Sequence, residues 1–126
     1  MTKNYTMSKY VFDTYAIFEI INGNLDYEEY IDSEIVINDF IFAELCYGLF
    51  KEKEKDLKVI LQKYSRRIFK IEPEWIEEAM QFRLGWKDRK VSVPDCISYF
   101  MAKKMGIKFL TGDKEFENLA EVEFVK

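Results

Sequence analysis

The 126-residue sequence contains no histidine. That absence excludes Ser-His-Asp and Cys-His triads, histidine-ligated zinc and an imidazole proton shuttle. Cysteine is nearly absent too: Cys46 and Cys96 are far apart and form no C-x-x-C pair, so a disulfide scaffold is not expected and a reducing cytoplasm is. With five glycines and two prolines, about half the usual share, little of the chain is left for long irregular connections. There is no apolar run near the ~20 residues a membrane helix needs. The most apolar stretches, 15–21 and 40–50, are short and each carries a glutamate. Residues 1–10 have no apolar run of the kind a signal peptide requires. A basic surplus is also missing: 19 Lys+Arg against 23 Asp+Glu give a net −4, unlike a protein that coats DNA non-specifically.

What is present points to an ordered domain. Hydrophobic residues make up 48%, well above the range of disordered chains. The length suits one domain over residues 1–126. Short apolar or β-branched runs at 9–13, 34–38, 67–71, 107–110 and 121–126 predict strands. Between them, helical spacing predicts helices over 15–22, 25–32, 39–50, 57–64, 74–86 and 93–105. Thr14 and Asp39 are placed to cap the first and third of these, and Pro73 to open the helix that follows it. This alternation predicts an α/β fold, a three-layer α/β/α domain with a mainly parallel central sheet.

In such sheets ligands bind beyond the carboxyl ends of the strands. Asp13 follows the first strand and Asp113 the fourth, Asp95 opens the helix leading into that fourth strand, and Glu44 lies one turn into the helix after the second. Each has a plainer reading: Asp13 as support for a helix start, Asp95 in the Ser92-x-x-Asp95 capping box, Glu44 as a solvated glutamate, Asp113 as a turn acid. Together they reach one rim of the sheet. Clustered carboxylates raise one another's pKa unless a cation joins them, and Mg²⁺ or Mn²⁺ suits an all-oxygen donor set.

Four segments carry a family resemblance. Tyr10-Val-Phe-Asp-Thr-Tyr-Ala-Ile-Phe18 resembles the opening of a PIN domain, a strand ending in Asp-Thr-x-Ala. Residues 35–49, with Glu44 ahead of Leu45-Cys-Tyr-Gly48, are similar to its second block. Val91-Ser-Val-Pro-Asp95 resembles the third, and Leu110-Thr-Gly-Asp113-Lys-Glu-Phe116 with the following Val122-Glu-Phe124 the last. The match runs over about 9–126, in order, and at this size looks most like the VapC-type toxins of type II toxin–antitoxin systems. The resemblance implies a Mg²⁺-dependent endoribonuclease with Asp13, Glu44, Asp95 and Asp113 as its catalytic and metal-binding acids. Asp13 and Asp95 are then the most direct ligands, and Thr14 and Thr111 orient ligand oxygens. Glu117 sits where some members carry a further acid. It also implies an RNA substrate, a homodimer and a cognate antitoxin that approaches the acidic pocket. Hydrolysis by metal and carboxylates needs no histidine.

Tyr15 stands where a small serine is common, and Phe40 is bulky at the start of the Glu44 helix. The alternative function is accordingly a catalytically silent PIN-like module that binds RNA or protein, its pocket closed by these two rings. A haloacid-dehalogenase-like phosphatase would need Asp-x-Asp after the first strand, and Asp13-Thr-Tyr15 lacks the second acid. A receiver domain would need paired acids there. Of the 21 aromatic residues, Trp75, Phe82, Trp86, Phe100 and Phe109 fall at core-like positions, whereas Tyr15, Phe40 and Tyr47 fall near the acids. Arg66-Arg67 and Lys87-Asp-Arg-Lys90 are either guides for a phosphate backbone or solvated helix ends. Setting the four acids aside leaves 19 acids against 19 bases, so the net charge equals that of the proposed site.

Overall fold

Four short strands, none longer than four residues, form the centre of the molecule. A computed structural model describes residues 8–86 and 89–126. In chain order these hold β1 (Lys9–Phe12), α1 (Thr14–Ile21), a 3₁₀ turn (Leu25–Tyr30), β2 (Glu34–Val36), α2 (Asp39–Lys51), α3 (Leu57–Ser65), α4 (Pro73–Leu84), α5 (Val93–Met105), β3 (Lys108–Thr111), a second 3₁₀ turn (Lys114–Phe116) and β4 (Val122–Phe124). The sheet order is β2-β1-β3-β4 and every pairing is parallel, with Val11 opposite Val36 on one side and Phe109 on the other. Parallel strands need crossovers, and these are almost always right-handed. The chain moves one way across the sheet from β1 to β2 and the other way from β2 to β3. Right-handed crossovers in opposite directions put α1 and α5 on opposite faces, which gives the expected three layers.

Both faces of the central strands are therefore covered, and Val11, Phe12, Phe109 and Leu110 are completely buried. Helix α5 contributes Cys96, Ile97, Tyr99, Met101 and Ala102 to the same core, and α1 contributes Ala16 and Ile17. The rings of Tyr99, Phe109 and Phe116 form an aromatic cluster with centroids 5.2–6.3 Å apart. Phe82, Trp86, Trp75 and Phe100 pack against this core from partly buried positions rather than within it. At the β4 edge, tyrosine hydroxyls supplement the short ladder. Tyr30 donates to Glu123 Oε2 at 2.6 Å, Tyr99 to the Ala120 carbonyl at 2.9 Å, and Tyr27 to the Val125 carbonyl.

Two local expectations are corrected and a third is refined. Residues 67–71 make no strand, only one parallel bridge, Ile37 to Ile68, closed by Ile37 N–H donating to the Arg67 carbonyl and Phe69 N–H to that of Ile37. The chain leaves β2 at once to begin α2, so no ladder remains for 67–71 to extend. The short helix expected over 25–32 is present but is of the 3₁₀ type and ends at Tyr30. The cap of α2 is Asn38, whose side chain accepts from Ile41 N–H at 2.9 Å, while Asp39 is exposed inside the first turn. Among the described residues no helix is long and apolar enough to cross a membrane.

Candidate active site

The carboxyl ends of β1 and β3 are neighbours, and the chain leaves each on an acid. Asp13 holds the N-cap position of α1, a place expected of Thr14, yet its side chain makes no capping bond. It turns instead to the sheet edge, where Thr111 Oγ1 donates to Asp13 Oδ2 at 2.6 Å. Thr111 is completely buried and also accepts from Asp113 N–H at 3.0 Å, so one hydroxyl sets both acids. Asp113 keeps part of its plainer role: its Oδ1 accepts from Glu115 N–H at 3.0 Å and caps the 3₁₀ turn.

The other two acids come from helices. Thr14 Oγ1 donates to Glu44 Oε1 at 2.9 Å, a bond that requires α1 and α2 to lie close. Gly48 permits this, because a Cβ there would collide with the ring of Phe18 on α1. Asp95 sits in the first turn of α5, whose cap Ser92 accepts from Asp95 N–H at 3.2 Å. A buried relay fixes α2 against α5: Asn38 Nδ2 donates to Ser98 Oγ at 3.0 Å, and Ser98 donates to the Pro94 carbonyl at 2.8 Å. Asn38 and Ser98 are both completely buried, and neither was singled out by sequence pattern. Their signal is an amide and a hydroxyl at core positions of two helix starts.

All four acids line one cleft of about 880 Å³, together with Thr14, Tyr15, Ala43, Tyr47, Gly112 and Lys114. Tyr15 borders the cleft without filling it, and Phe40 is not part of the lining. Lys114 is the one cation among the described lining residues, and no spacing in the sequence marked it. Glu117 is exposed and off the cleft. Arg66 and Arg67 lie along the β2 side with Lys9 and Glu34, away from the acids. Arg89 and Lys90 hold the segment after α4 against the Asp113 turn, through bonds to the Glu115 carbonyl and Glu115 Oε1; Lys87 and Asp88 lie outside the described residues.

Two of the four acids are strongly perturbed. Burial, then repulsion from Asp95, raises the Asp13 carboxyl well above its ordinary range despite the Thr111 hydrogen bond. Burial and then Glu44 push Asp95 up to about 6, with Asp113 adding to the repulsion. Asp13 and Asp95 are close enough to perturb each other's ionisation, and such like charges favour a bound proton or cation. Among the described residues none of the four acids forms an ion pair. Nor are any three His, Cys, Asp or Glu side chains there grouped so that together they could hold a metal ion. An all-oxygen donor set of this kind could contribute one or two carboxylates to a Mg²⁺ ion, which keeps several waters and takes its remaining ligands from substrate phosphates.

Similar structures share the architecture. A toxin–antitoxin complex from Klebsiella pneumoniae superimposes with TM-score 0.75 at 18% identity, over 90% of this chain and 95% of that one. VapC20 of Mycobacterium tuberculosis, a sarcin–ricin-loop-cleaving toxin, gives 0.74 at 16%, over 94% and 100%. VapBC2 of Rickettsia felis, bound to a fragment of its promoter DNA, gives 0.70 at 20%, over 94% and 99%. At these identities the likeness is one of fold. No curated protein matches the sequence. The PIN domain family model matches residues 10–122, nearly the whole chain. With its four-stranded parallel sheet and the acids gathered at the strand ends, the chain belongs to the PIN domain family.

Proposed function

We propose that this protein is a divalent-metal-dependent RNA endonuclease and the toxin of a type II toxin–antitoxin pair. The observation that carries the reading is the meeting of Asp13, Glu44, Asp95 and Asp113 in one cleft of a PIN domain, with none of the four neutralised by any described basic side chain. Asp13 and Asp95 are the direct ligands for Mg²⁺ or Mn²⁺, with Glu44 and Asp113 completing the shell directly or through water. A bound divalent ion supplies Lewis acidity toward phosphoryl oxygens and a water acidic enough to become a nucleophile near neutral pH. The chain's own work is orientation. Thr111 fixes one oxygen of Asp13 and Thr14 one oxygen of Glu44. Lys114, at its rim, can meet a phosphate oxygen. The antitoxin and a second copy of the chain are the proposed protein partners; the toxin–antitoxin complexes among its structural relatives support the first of these.

The test is cleavage of RNA with Mg²⁺ or Mn²⁺ by wild type, Asp13→Asn and Asp95→Asn. Wild type should cut, and each variant should lose about 100-fold or more, the upper end of what supporting residues of metal sites cost. Equal cleavage by all three would refute the site. A silent binding module would instead give no heat with Mn²⁺ that depends on Asp13. For the toxin role, expression should arrest growth and co-expression of the product of an adjoining small reading frame should relieve it.

A further inference from the structure

We propose that Tyr15 is a substrate-positioning residue, its ring a stacking platform for one unpaired nucleobase of the RNA beside the carboxylates. The proposal rests on the nuclease reading above. An isolated exposed tyrosine needs no explanation. This one stands two residues after Asp13, lines the cleft that holds all four acids, and is 39% exposed.

Its unexposed part is braced. A Cβ at Gly112 would collide with the Tyr15 ring and with the Val125 carbonyl oxygen, so the glycine between Thr111 and Asp113 is what lets the ring lie against that turn. Behind it, the completely buried ring of Tyr27 lies with its centroid 6.4 Å from that of Tyr15, at 50°. Tyr27 is itself tied through its hydroxyl to the Val125 carbonyl. Tyr15 is thus an aromatic ring fixed on one side and open to the cleft on the other. A ring held in advance gives up little freedom when a flat partner stacks on it. Bases offer such a partner whatever their identity, but only when unpaired, since those of a duplex are already stacked. A nucleotide whose phosphate reaches the four acids enters the cleft that this ring also lines.

The experiment uses the full chain in an Asp95→Asn background, which keeps the probe intact. The probe is a short single-stranded oligoribonucleotide carrying 2-aminopurine, whose fluorescence falls on stacking. The parent and Tyr15→Phe should bind and quench alike. Tyr15→Ser should bind about 5- to 150-fold more weakly, the range measured for losing one stacked base, and quench little. An unchanged thermal midpoint will show that Tyr15→Ser is folded. With Asp95 restored, Tyr15→Ser should raise KM more than it lowers kcat. Binding and quenching by Tyr15→Ser equal to the parent's would overturn the proposal and leave the ring to a protein surface. Failure of the parent itself to quench would overturn it too. Should wild type cut no RNA while stacking persists and depends on Tyr15, the nuclease reading fails and the platform stands.

Discussion

Asp13 shows how a residue's surroundings separate two roles that share one position. An N-cap acid accepts from the first turn of its helix, but Asp13 leaves α1 uncapped and faces Thr111 and Asp95. That choice costs stability, and pH should reveal it. An acid whose pKa rises on folding binds its proton more tightly in the folded state. Its contribution to stability is therefore full below the unfolded value, near 3.8, and is lost as pH climbs through the folded value, about 6 for Asp95. Asp13, raised for the same reason, acts in the same direction. In EDTA the wild-type melting temperature should fall between pH 5 and pH 7.5, and Asp13→Asn should fall less and melt higher at pH 7.5. Thermal scans of the two proteins across that window check this, and a steeper fall for the variant would contradict it. Mn²⁺ should flatten the wild-type profile, because the ion takes the place of the proton.

Elements hold these residues in place, and here the sequence was legible unevenly. All four parallel strands and all five α-helices lay at or near the positions their periodicity predicted, because each buries a face whose spacing is visible in one dimension. Segment 67–71 has strand-like composition, but a strand needs a partner, and β2 ends too soon to provide one. At the start of α2, Asn38 and Asp39 are both good caps on paper. The structure uses Asn38 because its amide both caps Ile41 and reaches Ser98 on α5, a contact sixty positions away that no local pattern records. Asn38 is thus a joint between the helices that carry Glu44 and Asp95. Asn38→Ala should cost about 2 kcal/mol in urea unfolding, combining a lost cap with an unpaired buried N–H. Asn38→Ser, which keeps the cap acceptor, should recover part of that. If both variants unfold with the wild-type midpoint, the relay is not what holds α2 to α5.

For the molecule as a whole, charge links the fold to its task. Residues scattered from 13 to 113 come together because parallel topology sends the ends of β1 and β3 and the starts of α2 and α5 toward one rim. The four ordered segments made that grouping visible in the sequence; the depth of burial and the hydroxyls that aim the acids were not. Outside the four acids the chain is balanced, with 19 acidic and 19 basic residues. For the proposed RNA substrate, repulsion would then be concentrated in the cleft, where Lys114 alone among the described lining residues opposes it. Exposed charges elsewhere are screened beyond about 8 Å at physiological salt, so removing acids from the cleft should matter more than removing them from the surface. In EDTA, Asp95→Asn combined with Asp113→Asn should bind a single-stranded oligoribonucleotide several-fold more tightly than wild type, an order-of-magnitude expectation for relieving two close like charges, although it cannot cut. Adding Ca²⁺ should tighten wild-type binding and do less for the double variant, since bound divalent charge inverts the local field only where carboxylates hold it. A surface control, Glu52→Gln with Glu77→Gln, should leave both affinities unchanged. Fluorescence anisotropy at fixed ionic strength measures all three proteins. If the cleft variant binds RNA no better than the surface control in EDTA, phosphate does not approach through the acidic rim.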